Sequence, residues 1–261
     1  MSKHIACIFA VLFFFASPLV FAVEDPGVTA LKKAEKKGIF LVAYFFDATD
    51  EADKTKSFKA SVEKASSALS GILSAVYIDV NNKTQQGLVT MFKLSYAPKP
   101  IALIFAPNGT IVGSFQQSFT VAELKKSLPG PGMQQCLKAL QEGKIVVLSI
   151  QNKDSADRIA AMKGVTEFSN DPRYKSHVVT VVIDPSLSVE ENSLRRLQIS
   201  PGTKKATTIL LAPPGALVGR WEGALTRDTI ARQLSQAMAQ SRRGGHSCSD
   251  PTCKIPTGGK K

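Results

Sequence analysis

The feature that most constrains the fold of this chain is an internal repeat. The segment Ile101–Leu128, IALIFAPNGTIVGSFQQSFTVAELKKSL, aligns with Thr207–Leu234, TTILLAPPGALVGRWEGALTRDTIARQL, at a constant offset of 106 residues. The same offset places ALKKAEKKGIFLV, which starts at Ala30, over CLKALQEGKIVVL, which starts at Cys136. Self-similarity at a fixed period is the sequence mark of a repeated structural unit. The chain is therefore expected to contain two copies of one domain.

The boundary between the copies is predicted from composition. The PGPG segment Pro129–Gly132 separates the two repeats, and proline and glycine are typical of linkers. The expected organisation is a first domain over residues 23–129, a second over 132–240, and a basic tail over 241–261. Each domain is then of a size that can bury its own hydrophobic core.

Hydrophobic periodicity predicts the same order of elements, α-β-α-β-α-β-β-α, in both copies. The uninterrupted apolar runs Ile39–Phe46 and Ile145–Ile150 are typical of strands that are buried on both faces, with parallel neighbours. Helices are expected to follow over Lys54–Leu73 and Ala156–Phe168. The other expected strands are Ala75–Val80, Val178–Ile183, Ile101–Ala106, Ile111–Phe115, Thr207–Ala212 and Leu217–Trp221.

Turn and capping residues support these assignments. The last two strands of each copy flank PNG or PPG, and a glycine accepts the positive φ that a tight hairpin turn needs. Thr120 and Thr226 are predicted to cap the terminal helices. Glu123 completes a capping box in the first copy only.

The order of elements, closed by PIALIFAPNGTIVGSF, resembles the thioredoxin fold, twice, over Val28–Ala239. The resemblance implies an α/β protein of two tandem thioredoxin-like domains, each a mixed sheet with helices on both faces, followed by a flexible tail. Thioredoxins carry Cys-x-x-Cys in the loop after their first long strand. The corresponding stretches here are DEADK, Asp50–Lys54, and DSADR, Asp154–Arg158. Since no cysteine is near either stretch, the dithiol chemistry of the family is expected to be absent.

Aspartates thus stand where the thiols would be, namely Asp50, Asp53, Asp154 and Asp157. A helix N-terminus presents unpaired N–H groups and a partial positive charge, so a carboxylate there acts as a cap. Binding of a hard cation such as calcium is the alternative, but it needs more oxygen ligands than two. We therefore expect caps and no metal.

The second landmark of the family is a cis-proline before the third strand. Pro100 in APKPIALIF matches it, and the backbone of Lys99 would then pair with an extended peptide. A trans proline that begins a strand is the alternative. Ala206 aligns with Pro100 in the second copy, which predicts that this copy has lost the peptide-docking geometry. Pro201 is a substitute if the loop is realigned.

The cysteines have different predicted roles. Cys136 lies on an apolar helical stripe and is expected to be a small core residue. Cys248 and Cys253 flank SDPT, whose Asp-Pro step favours a turn that brings the sulfurs together. Three states fit this tail pair: a disulfide, a metal site with His246, and free or intermolecularly paired thiols.

The N-terminus and the charge bear on location. Lys3, the apolar run Ile5–Phe15 and VFA, which ends at Ala22, match a signal peptide cleaved after Ala22, with a retained anchor as the alternative. A periplasmic or secreted location is expected, where disulfides are allowed. The net charge is +12, and the sequence contains no dense block of basic residues before the tail. This distribution favours a diffusely basic surface. Weak contact with an anionic envelope surface is compatible with it, and no nucleic acid partner is expected.

Three functions are compatible with the sequence. The first, which we favour, is a protein-binding or scaffold module in the cell envelope that is redox-inactive at the usual site, has no cofactor, and holds an envelope or secreted protein partner at Lys99 and Pro100. The second is a thiol-disulfide oxidoreductase that uses Cys248 and Cys253. The third is metal binding through the same tail. The second is disfavoured because a tail supplies neither burial nor a helix dipole to activate a thiol.

Overall fold

The structure is a computed structural model that describes residues 24–50, 53–200 and 202–244. Several predictions fall outside these residues and are not addressed by it: the signal peptide at 1–22, Pro201, His246, Cys248 and Cys253. Among the described residues, none of the helices combines the length and the apolar character needed to cross a bilayer.

The two copies contain the predicted elements in the predicted order. In the first copy these are α1 (Pro26–Lys37), β1 (Phe40–Phe46), α2 (Asp53–Ala68), β2 (Leu73–Asp79), α3 (Gln86–Met91), β3 (Ile101–Phe105), β4 (Ile111–Phe115) and α4 (Val121–Ser127). In the second copy they are α5 (Pro131–Gln141), β5 (Ile145–Ile150), α6 (Arg158–Ser169), β6 (Val178–Ile183), α7 (Glu191–Arg196), β7 (Thr207–Ala212), β8 (Ala216–Glu222) and α8 (Arg227–Gly244). Short 3₁₀ turns precede α3 and α7, and another follows α3.

Each copy forms its own four-stranded sheet, with strand order β2-β1-β3-β4 in the first and β6-β5-β7-β8 in the second. The two strands β1 and β2 are parallel, whereas β3 is antiparallel to both of its neighbours. The second sheet repeats this pattern. With helices packed on both faces of each sheet, the expected class of tandem thioredoxin-like domains is confirmed. The expectation of parallel neighbours for the first strands holds for one neighbour only.

Burial explains why the first strands carry no polar alternation. In β1 the five residues Leu41 to Phe45 are at most 1% exposed. Leu41 and Phe45 pack into the core beneath α1 and α3, whereas Val42 and Tyr44 pack into the core beneath α2 and α4. Because both faces are covered by helices, both faces of the strand need apolar side chains.

Some predicted boundaries are wrong. The helix α2 ends at Ala68 and not at Leu73, because the chain turns through Gly71 and Leu73 pairs with Phe40 in the sheet. Leu73 is 2% exposed, so its burial in the sheet core outweighs continuation of the helix. At the other end, α8 continues to Gly244, so residues 241–244 belong to a helix and not to the tail.

The repeat has two registers. Phe40 pairs with Leu73, and Ile145 pairs with Val178, so the first two strands of the copies correspond at an offset of 105 residues. Strand β7 begins 106 residues after β3, because the connection from α7 to β7 is one residue longer than that from α3 to β3. The alignment of Cys136 with Ala30 is therefore corrected: at an offset of 105, Cys136 corresponds to Leu31.

The PGPG segment is a packed junction, which its composition did not predict. Pro129 and Gly130 are buried, and the Gly130 amide donates a hydrogen bond of 3.2 Å to Ser193 Oγ. Farther along α5, the side-chain amide of Gln141 bonds both the N–H (3.2 Å) and the carbonyl (2.6 Å) of Ile111 on the edge strand β4. Polar side chains of one copy thus hold main-chain groups of the other.

Candidate functional site

The start of α2 and the residues before β3 come together in the first copy, as the resemblance implies. The Lys99–Pro100 peptide bond is cis. A cavity of about 450 Å³, which we call the Pro100 groove, lies between these two segments. Six of its eight lining residues are polar in type, and the lining comprises Lys54, Ser57, Phe58, Lys99, Pro100, Gln116, Gln117 and Ser118.

The side chain of Lys99 has a structural role that sequence reasoning missed. Its ammonium group donates hydrogen bonds of 2.6 Å to the carbonyls of Leu94 and Ala97, and one of 3.4 Å to that of Ser95. These carbonyls belong to the 3₁₀ turn and to the chain that leaves it. The lysine therefore folds back on its own loop and holds the segment that precedes β3.

The main-chain groups of Lys99, unlike its side chain, are not bonded to the described residues of the loop. Among the described residues, neither its N–H nor its carbonyl makes a main-chain hydrogen bond. Both neighbours, Pro98 and Pro100, lack an N–H group. The Lys99 amide is therefore the one main-chain donor of this tripeptide, and Lys99 lines the Pro100 groove.

A buried tyrosine forms the support beneath the groove. The Tyr44 hydroxyl donates a hydrogen bond of 3.1 Å to the carbonyl of Thr55, in the first turn of α2. The Thr55 hydroxyl donates one of 3.0 Å to Asp50. Burial, then the negative charge of Asp50 and the electrostatic interaction with the neighbouring phenol of Tyr77, raise the pKa of Tyr44 to about 12. The phenol is therefore neutral near pH 7 and acts as a fixed donor.

The predicted carboxylate caps differ between the two copies. Asp53 is the first residue of α2, and Asp50 accepts from Thr55, so both carboxylates lie at a helix start. The prediction is wrong for the second copy. Asp157 is at the N-cap position of α6, but it has φ 58° and its side chain makes no cap hydrogen bond. The Asp154 amide is instead bonded to Asn152, in a loop that turns before the helix begins.

Nor do these carboxylates assemble into a metal centre. Among the described residues, no group of three or more His, Cys, Asp or Glu side chains is placed to hold a metal ion.

In the second copy, the edge that corresponds to Lys99 and Pro100 is already paired. Ala156 forms a parallel β-bridge with Lys205. The Ala156 amide donates to the carbonyl of Lys204 at 2.7 Å, and the Ala206 amide donates to the carbonyl of Ala156 at 3.3 Å. Ala206 is not preceded by a cis bond, since the described residues contain cis bonds only at Lys99–Pro100 and Pro213–Pro214. This segment of the second copy is thus paired within the chain. The residue of the first copy that corresponds to Ala156 at an offset of 105, residue 51, lies outside the described residues.

The support beneath this edge also differs between the copies. Tyr44 pairs with Ala102 in the first sheet, and at the same position of the second sheet Ser149 pairs with Thr208. Both hydroxyls are buried and have no hydrogen-bond partner among the described residues. The second copy therefore lacks the phenol that holds the first turn of the helix in the first copy.

The core position predicted for Cys136 is confirmed. Its side chain is fully buried among Leu140, Leu148 and other apolar residues of the second copy. Burial raises the pKa of its thiol to about 12. The thiol is thus neither accessible nor ionised near neutral pH, and it lies apart from the Pro100 groove.

Comparisons with known proteins give only structural matches. No family model and no curated protein matches the sequence. The chain is similar to thioredoxin O2 of Arabidopsis thaliana in its oxidized state, with 18% identity over 38% of this chain and 80% of that chain and a TM-score of 0.30. It is similar to the first two thioredoxin domains of Naumovozyma dairenensis Eps1p, with 14% identity over 86% and 98% and a TM-score of 0.30. It is also similar to the zinc-bound form of human ERp44, with 10% identity over 79% and 58% and a TM-score of 0.32.

Proposed function

We propose that this chain is an exported, redox-inactive binding module of the cell envelope. Its Pro100 groove holds an extended segment of an envelope or secreted protein by main-chain pairing, as strand-adding recognition domains do. The observation that carries the proposal is that Lys99 and the cis Pro100 line a cavity, and that the Lys99 amide has no main-chain partner among the described residues. In the second copy the equivalent segment is bonded to Ala156, whose counterpart at an offset of 105, residue 51, lies outside the described residues.

The lining of the groove supports recognition of backbone over recognition of one large side chain. Hydroxyl and amide groups from Ser57, Ser118, Gln116 and Gln117 can donate to or accept from a peptide main chain. A polar, open groove of this kind gives modest affinity, with specificity set by the few side chains that fit between its walls.

Binding to a permanently unfolded polypeptide, reduced and carboxymethylated α-lactalbumin, tests the proposal. Ser57→Tyr places a ring in the groove from an exposed position on α2, and we expect it to weaken binding about 10-fold or more. Ser67→Tyr is the matched control, since Ser67 is exposed on the same helix and does not line the groove. Equal binding by the two variants would contradict the proposed location.

A second measurement reports on the main-chain pairing itself. Because the bound segment would accept from the Lys99 amide, exchange of that amide with solvent is expected to slow when the polypeptide is added. The amide of Ala156, which is bonded within the chain, is the internal reference and should not change. Slowing at both amides would indicate general stabilisation and not pairing at the groove.

The redox and metal alternatives are tested on the tail. Insulin reduction and bound metal are measured for the full chain and for the Cys248→Ser/Cys253→Ser double variant. We expect no turnover and no stoichiometric metal in either protein. Reduction that the double variant abolishes would establish the oxidoreductase instead, and metal lost with the substitutions would establish metal binding.

A further inference from the structure

A second concave site lies where the two copies meet. The helix α4, from the first copy, and residues 188–195 with α7, from the second, border a cleft of about 340 Å³. We call it the junction cleft, and it is lined by Ala122, Lys125, Lys126, Ser188, Glu191, Asn192 and Arg195. We propose that the junction cleft binds a small soluble polyanion with two phosphate-type groups.

Both α4 and α7 carry basic residues close to the junction cleft. Lys125 and Lys126 occupy the last turn of α4, and Arg195 and Arg196 occupy the last turn of α7. All four residues are exposed. Cations in a last helical turn ordinarily serve to offset the negative end of the helix dipole, so this explanation has to be examined first.

The carbonyls at the end of α4 have other partners. Asn192 Nδ2 donates to the carbonyls of Lys125 (3.1 Å) and Leu128 (3.3 Å). The guanidinium of Arg196 donates to the carbonyl of Lys126 at 3.4 Å. Side chains of the second copy therefore bond the carbonyls of Lys125 and Lys126 in the last turn of α4. Among the described residues, the ammonium groups of Lys125 and Lys126 have no hydrogen bond or ion pair of their own.

Glu191 in the lining and Glu123 on α4 are carboxylates that already make other contacts. Glu191 forms an ion pair of 2.7 Å with Arg195, one helical turn away. Glu123 accepts from the amide and the hydroxyl of Thr120 in the capping box of α4, and these bonds and the attraction of Lys126 lower its pKa. The cleft is thus lined by three cations, Lys125, Lys126 and Arg195, and by one carboxylate, Glu191, which is paired with Arg195, so it has an excess of positive charge.

The shape and chemistry of the cleft indicate the class of ligand. Its volume is within the range of small-molecule sites, and it lies at a domain junction, where such sites are frequent. Guanidinium groups bind phosphate oxygens through paired donors, and ammonium groups add point charges. A concave cleft suits a compact anion better than a flat lipid surface. Since the cations are exposed, binding should weaken steeply as salt screens them.

Calorimetric titration of the full chain with inorganic pyrophosphate at low ionic strength tests this inference. We expect the Lys125→Gln/Lys126→Gln variant to bind about 10-fold more weakly. The matched control is Lys36→Gln/Lys37→Gln, which removes two consecutive lysines from the last turn of α1, where no arginine of another helix lines the adjacent cleft. The control should bind within about 2-fold of the original chain.

Three results would overturn the inference. The first is equal weakening by both variants, because a diffuse basic surface would then account for the binding. The second is a lack of pyrophosphate binding together with binding to phosphatidylglycerol vesicles, which would indicate a membrane contact. The third is an absence of pyrophosphate-induced NMR shift changes at the Lys126 and Asn192 amides of the unaltered chain, a measurement that does not depend on how the variants fold.

Discussion

Glu190 accepts a hydrogen bond of 2.6 Å from the backbone amide of Gly132, in the first turn of α5. In the first copy the corresponding helices, α1 and α3, are also joined by a carboxylate, but this carboxylate lies at the start of α1. There Asp25, the N-cap of α1, accepts from the Gly87 amide in α3 at 2.7 Å. Gly130 takes the position of Asp25 in the second copy and leaves the space that Glu190 occupies. Both copies therefore link the two helices through a carboxylate. It lies at the start of α1 in the first copy and just before α7 in the second.

Gly130→Ala should destabilise the second copy. A Cβ atom at this position would overlap the carboxylate of Glu190 and would lie 2.5 Å from the carbonyl oxygen of Val189. We expect a loss of about 1–3 kcal/mol in the free energy of unfolding, measured with urea. Gly71→Ala is the control, because nothing lies within 4 Å of a Cβ atom there. Equal stabilities of the two variants would show that Glu190 moves aside without cost.

Asp25→Ala should destabilise the first copy. The substitution removes the cap bond of 2.9 Å from the Val28 amide together with the link to Gly87. We expect a loss of about 1–2 kcal/mol, seen in urea unfolding and as faster exchange of the Gly87 amide. Glu24→Ala, which removes an exposed neighbouring carboxylate, should change the stability by less than about 0.5 kcal/mol. An unchanged Gly87 exchange rate in Asp25→Ala would contradict the link.

Gln141→Glu should weaken the contact between the copies. The variant can still accept from the Ile111 amide, but it turns an oxygen instead of an N–H group toward the Ile111 carbonyl. We expect the Ile111 amide to exchange about 5-fold faster, as the loss of about 1 kcal/mol implies. Gln135→Glu adds the same charge at an exposed position of α5 and should leave this amide unchanged. A similar rise in both variants would assign the effect to charge alone.

Asp171 should make the stability of the second copy depend on acid pH. Its side chain is 6% exposed, and hydrogen bonds from Arg173 lower its pKa below the ordinary value of 3.8. Because the native pKa is the lower one, the contribution is present above about pH 4 and is lost as the pH falls through the native pKa. The stability difference between the unaltered chain and Asp171→Asn, from urea unfolding, should therefore shrink below pH 4.

The exposed Asp228 is the control for this prediction. Asp228 forms an ion pair with the adjacent residue Arg227, and the Asp228 side chain is 69% exposed. Asp228→Asn should change the stability little at any pH, as is usual for exposed pairs. If the effect of Asp171→Asn were as large at pH 3 as at pH 7, the assigned role of Asp171 would be wrong.

Local features were determined by the sequence alone. The apolar runs predicted β1 and β5, because a strand covered on both faces consists mainly of apolar residues. Thr120 and Glu123 predicted a capping box that is present, with both bonds formed. The hairpin glycines Gly109 and Gly215 have the expected positive φ. These apolar runs, caps and turns occur in the same order in both copies, and this order predicted the tandem thioredoxin-like fold. They could be recognised in the sequence because each depends on only a few consecutive residues.

Only the tertiary structure decided that the segment before β7 pairs with Ala156 and how the two copies are joined. The bridge from Ala156 to Lys205, the bond from Gly132 to Glu190 and the clamp of Gln141 on Ile111 each connect residues that are distant in the chain. These contacts use main-chain groups or single polar side chains, which leave no periodic pattern. The hydrogen-bond partner of a main-chain amide depends on which segment lies beside it in the folded chain. This partner cannot be predicted from residue type, because every residue except proline carries the same N–H group.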